Sequence, residues 1–328
     1  MEAESCEGLI LDGLRVIDNR SARGVLRLER CVKPQIRHCV IENYMTLSID
    51  GSGIVASGCQ GMLIEGNSII EQNLRPTREL KDRHKLGQFS KRNERKGNLI
   101  SQQVWDEGYV NNWHQGSAAV VTSPESTAFT RIVNNQIENA AQGIDLHADY
   151  VTVSGNMVVN SFIGMKAMHG SRHVIIANNQ FVRNDLWAIG LMPGTASHRA
   201  RPKGDHGPAQ PANVDGGSII VNNIITEFGY GDSHWIWSPD RNTCAPLLFD
   251  HGQRVDNPPV TDVVVSGNII YDIGRDRILD EGVPREERPR YRYAVVVDET
   301  PTGPKGLRFS NNLFHPGTLG ISNVELNP

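Results

Sequence analysis

Residues 151–160 read VTVSGNMVVN, and similar phrases return as HVIIANNQFV at 173–182 and DVVVSGNII at 262–270. In each phrase, two short runs rich in Val and Ile flank a Gly-Asn or Asn-Asn pair. Short alternating runs of β-branched residues are typical of strands, and Asn or Gly between them is typical of a tight turn. Each phrase therefore predicts two strands that meet at a corner.

The phrase occurs nine times, and its Asn residues mark a repeat. The aligned positions are Asn19, Asn43, Asn67, Asn135, Asn156, Asn179, Asn223, Asn268 and Asn312. Close neighbours are 21 to 24 residues apart, and the wider gaps hold an insertion or a second repeat. A period in the twenties indicates a solenoid. A leucine-rich repeat needs Leu-rich strands with helices, whereas these runs are rich in Val and Ile and leave no room for a helix. The period therefore predicts a β-helix.

The Asn column itself predicts an internal ladder. Asn tolerates the left-handed backbone of a tight corner better than other non-glycine residues. Stacked amides can also hydrogen-bond along such a column from one repeat to the next. We expect these side chains to satisfy the backbone groups of the corner.

These repeats, from Leu9 to Val324, resemble the right-handed parallel β-helix superfamily that includes the pectate lyases. The resemblance implies one all-β domain over residues 1–328, a single-stranded right-handed solenoid of about ten rungs. It also implies an extracellular or periplasmic location, although residues 1–8 carry neither region of a signal peptide. The superfamily holds lyases, hydrolases, epimerases and inert spikes, so the fold alone leaves the function open.

Composition excludes several classes of protein. The chain of 328 residues has 33 Lys and Arg against 37 Asp and Glu, a net charge of −4. This balance is poor for binding nucleic acid. No apolar run approaches the roughly 20 residues that cross a bilayer, so we expect no membrane span. The five cysteines lack CxxC spacing and are interpreted as small buried apolar residues.

Four segments interrupt the period and are predicted to be insertions: 73–115, 193–217, 229–259 and 275–292. The first begins with a basic run, because residues 73–98 hold nine Lys or Arg against three acidic residues. Such a run is either a solvated loop or an electrostatic arm for an anionic polymer. Both interpretations stay open at this point.

Aromatic residues in and beside the insertions offer rings for stacking on sugars. Trp113 and His114 end the first insertion, Trp187 precedes the second, and Trp235 lies in the third. Aromatic residues also cover core ends, so this interpretation competes with a structural one. We predict that these four residues, with Arg172, bind substrate.

The two shortest repeats bring charged residues together. Their Asn anchors align GIDLHAD (143–149) with GMKAMHG (164–170). Alternation along a strand turns Asp145, His147 and Lys166 outward, with Asp145 and Lys166 about 5 Å apart on adjacent rungs. Gly190 and Val121 are predicted to occupy the flanking positions of this column. The alternative interpretation is that Asp145 and Lys166 form an ordinary surface salt bridge.

The same residues match the needs of β-elimination on a uronide. That reaction requires a base for the C5 proton, a cation for the carboxylate and an acid for the leaving oxygen. The resemblance implies that Lys166 is base or carboxylate clamp, that His147 or His169 is base or acid, and that Arg172 is a clamp. We therefore predict Lys166, His147, Asp145 and His169 to be catalytic.

Calcium is the one cofactor that the resemblance raises, since lyases of the superfamily often use Ca²⁺ against the substrate carboxylate. A calcium site needs several oxygen ligands. The sequence offers only Asp145 and Asp149 as a local pair. Both residues are kept as possible metal ligands or orienting groups.

Polygalacturonase-type hydrolases of the same fold are the chief alternative enzyme. Their pattern has NxD, a DD pair, GHG and RIK, whereas here Leu146 follows Asp145 and no RIK occurs. Asp250 with His251, and Asp298 with Glu299, remain as remote carboxylates. The sequence thus favours a lyase for an acidic polysaccharide. The alternatives are a hydrolase or epimerase, or a non-catalytic glycan-binding or spike-like module.

Overall fold

The computed structural model describes residues 1–21, 23–45, 51–72, 116–123, 126–203, 208–231, 244–252, 254, 256–271 and 289–328. Within these ranges the chain forms 28 short strands and no helix. Over the same ranges, nothing resembles a helix that could cross a membrane. The strands form three parallel sheets of ten, nine and nine strands. The chain visits the sheets in turn, so three successive strands make one rung of a right-handed solenoid, as the repeats predicted.

Sheet 1 receives the first strand of each rung. Its members are β1 (Glu2–Glu4), β4 (Leu26–Glu29), β7 (Ile54–Ser57), β10 (Ser117–Thr122), β13 (Gln142–Leu146), β16 (Ile163–Ala167), β19 (Trp187–Leu191), β22 (Ala245–Phe249), β25 (Tyr293–Val297) and β28 (Gly320–Ser322). The first strand thus begins at Glu2, before the predicted start at Leu9.

Sheets 2 and 3 receive the second and third strands of each rung. Sheet 2 consists of β2 (Ile10–Asp12), β5 (Gln35–Arg37), β8 (Leu63–Glu65), β11 (Arg131–Val133), β14 (Thr152–Ser154), β17 (Ile175–Ala177), β20 (Gly216–Val221), β23 (Thr261–Ser266) and β26 (Arg308–Ser310). Sheet 3 consists of β3 (Arg15–Ile17), β6 (Val40–Glu42), β9 (Ser68–Ile70), β12 (Gln136–Glu138), β15 (Met157–Val159), β18 (Gln180–Val182), β21 (Ile224–Thr226), β24 (Ile269–Tyr271) and β27 (Leu313–Phe314).

Alternation along these strands builds the core. The next-to-last residue of each sheet 2 strand points inward and stacks on the equivalent residue of the next rung. This column contains Leu11, Ile36, Ile64, Ile132, Val153, Ile176, Ile220, Val265 and Phe309. All are buried. Burial of each such side chain contributes about 1.5–3 kcal/mol, which makes inward stacking the main stabilising term.

The long connections join sheet 1 at the two ends of its strands. Segment 73–115 joins β9 to β10 and lies outside the described residues, and 193–217 runs from the end of β19 into β20. The predicted insertion 229–259 is wrong as a single segment, because β22 lies within it. Its strand sequence APLLF carries no Asn and so gave no repeat signal. Most of 275–292 lies outside the described ranges.

The predicted Asn ladder is confirmed at the corner between sheets 2 and 3. After the first ladder residue, each Oδ1 accepts hydrogen bonds from the backbone N–H and the Nδ2 of the Asn one rung before it. The ladder contains Asn67, Asn135, Asn156, Asn179, Asn223, Asn268 and Asn312. The left-handed residue is the one before the ladder Asn, with φ of 56° at Asn134 and 68° at Gly155.

Two residues of the predicted ladder were wrongly aligned. Asn19 and Asn43 follow β3 and β6 and therefore lie beyond sheet 3, at a different corner. Cys39 occupies the ladder position of its rung, and its backbone N–H donates to Asn67 Oδ1 at 2.9 Å. The runs that precede Asn19 and Asn43 have the same β-branched character as those of sheet 2, so the sequence gave no sign of the shift.

The ladder predicts a measurable stability loss for Asn156→Ala. The Asn156 amide accepts from Asn135 N at 3.0 Å and donates to Ile132 O at 2.9 Å, all within a buried corner. Leaving these groups unpaired should lower the free energy of unfolding by roughly 1–3 kcal/mol. Chemical denaturation measures the loss, with exposed Gln180→Ala as the control. Equal stability of the two variants would contradict the ladder's role.

The cysteines behave as predicted, since all five are free thiols and four are buried. Burial raises the pKa of the Cys59 thiol to about 11. Thiols of this kind are inert, and they pack as small apolar side chains.

A buried ion pair connects three rungs near the start of segment 73–115. Arg20 donates to both carboxylate oxygens of Glu71, at 2.8 and 2.5 Å, and to the carbonyl of Met45 at 2.8 Å. The backbone N–H of Met45 donates to Glu71 at 3.0 Å. The side chains of Arg20 and Glu71 are 3% and 0% exposed. The pair therefore links the corners after β3, β6 and β9.

Candidate active site on sheet 1

The register of sheet 1 confirms that Asp145 and Lys166 are neighbours on adjacent rungs. Gly190 follows Lys166 in the same outward column, as predicted. The preceding position was predicted to be Val121, and this is wrong: Val120 pairs with Asp145, while Val121 pairs with Leu146 and points into the core. The 68-residue gap between Asn67 and Asn135 left the sequence without an anchor for that rung.

Asp145 lies between the side chains of Lys166 and His147. Its Oδ2 is 3.3 Å from Lys166 Nζ, and its Oδ1 is 2.9 Å from His147 Nε2. The second contact has the distance of an ion pair without hydrogen-bond alignment, because neither atom has a hydrogen-bond partner in the described part of the chain. The Asp145, His147 and Lys166 side chains are 4%, 14% and 17% exposed. We call these three residues the charge cluster.

The charge cluster keeps Asp145 ionised. Burial alone would raise the pKa of its carboxyl, but the neighbouring His147 and Lys166 outweigh burial and hold the pKa well below its ordinary value. An ionised carboxylate in this position orients Lys166 and His147 rather than acting as a proton donor. Thr122 Oγ1 lies 3.0 Å from His147 Nδ1 and fixes the other side of the imidazole.

His169 lies beside the cluster as a neutral ring. Its ring packs edge-on against that of His147, with centroids 4.4 Å apart. Burial, together with the neighbouring Lys166 and His147, lowers the pKa of His169 to about 4. The backbone N–H of Ala196 donates to His169 Nδ1 at 3.3 Å, which places the single ring proton on Nε2. His169 therefore offers a donor to the site.

Asp149 and Arg172 lie apart from the charge cluster as a pair of their own. Arg172 donates its backbone N–H to Asp149 Oδ1 at 3.0 Å and its Nη2 to Oδ2 at 2.5 Å. This hydrogen bond raises the pKa of Arg172. Asp145 and Asp149 thus each hold a cationic side chain, which does not fit the oxygen-rich shell that Ca²⁺ requires. Calcium binding at Asp145 and Asp149 stays a prediction.

A buried carboxyl, Asp215, holds the turn that carries His169. Its Oδ1 accepts from the backbone N–H groups of Gly170 and Ser171, both at 2.9 Å. Ser197 Oγ donates to Oδ2 at 2.5 Å. Burial raises the pKa of Asp215 to about 7, although these hydrogen bonds act in the opposite direction. Asp215 lies in an insertion without a neighbouring motif, so no sequence signal pointed to it.

The raised pKa of Asp215 predicts a pH-dependent variant effect. The folded state binds this proton more tightly than the unfolded state, so the stabilisation is complete below the ordinary value of 3.8 and is lost as pH rises through about 7. Asn keeps an uncharged oxygen acceptor for the N–H groups of Gly170 and Ser171, and its Nδ2 donates to Ser197 Oγ, as a protonated carboxyl would. We therefore expect Asp215→Asn to stabilise the protein by about 2–4 kcal/mol at high pH and little at low pH.

Thermal unfolding of Asp215→Asn at pH values on both sides of that pKa measures this effect. The exposed Asp262→Asn is the control and should show no such dependence. A stability difference between wild type and Asp215→Asn that is the same at both pH values would contradict a titrating Asp215.

An apolar patch continues the outward face of sheet 1 beyond the charge cluster. Its buried members are Met168, Met192, Ala245, Leu248 and Val296, with Trp187 and Tyr293 packed against them. The Trp187 ring lies over Gly190, where an added Cβ would be 3.1 Å from Trp187 Cε3. Because Gly190 pairs with Lys166, this ring is one rung from the charge cluster. The other predicted aromatic residues, Trp113, His114 and Trp235, lie outside the described ranges.

Comparison with known families agrees with this architecture. Residues 2–181 match the family described as the right handed beta helix region. The chain belongs to this family. A comparison with curated protein sequences finds no match.

Solved β-helix structures are similar over nearly the whole chain at low sequence identity. PfbA, a surface adhesin of Streptococcus pneumoniae, is 10% identical with a TM-score of 0.50, over 95% of this chain and 69% of the adhesin. The alginate lyase AlyF-OU02 in complex with G6 is 10% identical with a TM-score of 0.47, over 98% and 67%. The Dettilon tailspike protein is 12% identical with a TM-score of 0.47, over 98% and 60%. These likenesses concern the fold.

Proposed function

We propose that this β-helix is a polysaccharide lyase that cleaves an acidic, uronic-acid-containing polymer by β-elimination. The charge cluster carries the proposal. It places an ammonium group, an imidazole and an orienting carboxylate side by side on the outward face of sheet 1. Insertions begin at both ends of the sheet 1 strands. Burying a charged group has a large desolvation cost. Buried charges without a structural role in the core are therefore concentrated at functional sites.

Lys166 serves as the clamp for the substrate carboxylate. Asp145 holds its ammonium group in place before substrate arrives, so little reorganisation is needed when negative charge develops on the enolate. Fixed charges of this kind in a poorly hydrated site are among the largest contributions to catalysis. This role agrees better with the Asp145 contact than the role of base does.

His147 acts as the base. The negative charge of Asp145 Oδ1, 2.9 Å from Nε2, favours the ring proton on that nitrogen, so Nδ1 keeps its lone pair, and the substrate replaces the Thr122 hydroxyl beside it. Nδ1 takes the C5 proton, the C5–H electrons form the C4–C5 double bond, and the C4–O bond breaks. The imidazolium, stabilised by Asp145, returns the proton to the leaving oxygen. His169 Nε2–H supplies a hydrogen bond to the substrate.

The wider chain supplies further support. The basic run at 73–98 has the charge that an anionic polymer requires, and the Trp187 ring lies where a neighbouring sugar can stack. An extracellular or surface location belongs to the same proposal, since polymers of this kind are met outside the cell.

Incubation with a panel of uronic-acid polymers tests the proposal. Polygalacturonate, alginate and chondroitin are each treated with the protein, with calcium and with chelator. Ultraviolet absorbance reports the unsaturated uronide, and a reducing-end assay reports any cleavage. Growth of both signals on one polymer is expected. Reducing ends without absorbance would replace the lyase with a hydrolase.

A glycan-binding module that does not cleave is the second candidate. One observation favours it: the Asp145 carboxylate already pairs with the Lys166 ammonium group, so these two charges are satisfied as a static ion pair. Retention on immobilised polymer without either product signal would support this candidate instead.

A further inference from the structure

A second polar cluster lies on the same face of sheet 1, beyond the apolar patch. Phe249 pairs with Val297, so the next residues, Asp250 and Asp298, lie side by side on adjacent rungs. The backbone N–H of Asp298 donates to Phe249 O at 2.9 Å, which extends the ladder to this position. Asp250 lies two rungs from Lys166, about 10 Å by strand spacing. The two clusters are therefore separate sites.

His251 completes the group. Its Nδ1 contacts Asp298 Oδ2 directly and lies 3.6 Å from Asp250 Oδ1. One ligand atom from each of the three residues lies within 4.8 Å of the others. Three such atoms can surround one ion at bond lengths of about 2.0–2.2 Å. The side chains are partly exposed, at 29% for Asp250, 35% for His251 and 13% for Asp298, so an ion can enter.

Backbone contacts hold the two carboxylates in place. The N–H of Gly252 donates to Asp250 Oδ1 at 2.6 Å, and the N–H of Thr300 donates to Asp298 Oδ1 at 2.8 Å. Gly252 has φ of 77°, and an added Cβ would be 2.1 Å from the Pro193 carbonyl. The turn after β22 is thus fixed against the start of segment 193–217, which lowers the entropic cost of assembling ligands.

A buried amide beside this turn points independently to a missing partner. Asn257 is 2% exposed, and its Nδ2 lies 2.9 Å from the position that a Gly252 Cβ would take. Among the described residues, this Nδ2 has no hydrogen-bond partner. Burying an unpaired amide is unfavourable. A metal-bound water would satisfy it, and rotation of the amide would present an oxygen to the ion instead.

We propose that Asp250, His251 and Asp298 form a divalent metal site that takes a first-row transition metal such as Zn²⁺ or Mn²⁺. The imidazole nitrogen favours these ions over Ca²⁺ and Mg²⁺, which prefer shells of oxygen alone. The site is independent of the proposed lyase chemistry, so the proposal holds whether or not the protein cleaves a polymer. The competing interpretation is an ordinary Asp–His pair.

Calorimetric titration of the full chain tests the site after removal of metals with a chelator. ZnCl₂, MnCl₂ and CaCl₂ are titrated separately. We expect one equivalent of Zn²⁺ or Mn²⁺ to bind, with Ca²⁺ at least tenfold weaker, and a rise in melting temperature with the bound ion. Absence of binding would leave only an Asp–His pair and would overturn the proposal.

Variants assign the binding to these residues. His251→Ala and Asp298→Asn should each lower the affinity for the ion at least tenfold. The melting temperature of each metal-free variant should stay close to that of wild type. Asp12→Asn is the matched control, because Asp12 contacts His38 at 2.9 Å on adjacent rungs of sheet 2 and belongs to no such group of three. Undiminished binding in both site variants would place the ion elsewhere and refute the assignment.

Discussion

Lys166→Ala is expected to lower the rate of polymer cleavage by about 10²–10³-fold, because it removes the charge that meets the developing enolate. The same change removes the ammonium partner of the Asp145 carboxylate. Since Asp145 is buried, we expect a loss of about 1–3 kcal/mol in the free energy of unfolding. Initial rates and chemical denaturation on the same samples separate the two effects.

Two companion variants make the Lys166 result specific. Lys166→Arg keeps the ion pair with Asp145 but moves the charge, so it should fold normally and still lose most activity. Arg131→Ala removes an exposed cation from sheet 2 and should leave the rate unchanged. Full activity in Lys166→Ala would remove this lysine from the mechanism and with it the proposed clamp.

Arg20→Ala is expected to give the largest stability loss, about 3–5 kcal/mol, because it leaves the Glu71 carboxylate buried without its charged partner. Burial already raises the pKa of Glu71 despite Arg20. Without the guanidinium that pKa rises further, so protonation relieves the variant at low pH. The loss should therefore be larger above neutral pH than near pH 5.

Arg15→Ala provides the comparison for Arg20→Ala. Arg15 pairs with Glu42 at 3.6 Å, and its side chain is 66% exposed. Exposed pairs of this kind contribute about 0–1 kcal/mol. If denaturation shows that the two variants lose similar, small amounts of stability, the buried pair does not connect the three rungs energetically.

The fold was predictable because a solenoid repeats its local chemistry. One phrase such as VTVSGNMVVN contains two strands and their corner, and its recurrence gave the rung. Alternation along the strand then brought Asp145 next to Lys166 with no three-dimensional information. Prediction failed where the local chemistry was shared between corners, as at Asn19 and Asn43, or where a strand carried no Asn, as in β22.

The site was less predictable, because the protonation states and hydrogen bonds of its side chains depend on contacts between segments that are distant in sequence. The neutral state of His169 arises from burial and from the backbone of Ala196, which lies in an insertion. Asp215 reaches the same turn from the end of that insertion. Arg172 and Asp149 are close in sequence to the charge cluster, yet their mutual hydrogen bonds turn them into a separate pair.

Product analysis in heavy-oxygen water distinguishes cleavage by elimination from cleavage by hydrolysis. The polymer that gives the strongest absorbance signal is digested by the wild-type chain, and the new ends are examined by mass spectrometry. Elimination predicts unsaturated ends that are one water lighter than hydrolytic products and carry no heavy oxygen. Saturated ends that incorporate one heavy oxygen would show hydrolysis and contradict elimination at the charge cluster.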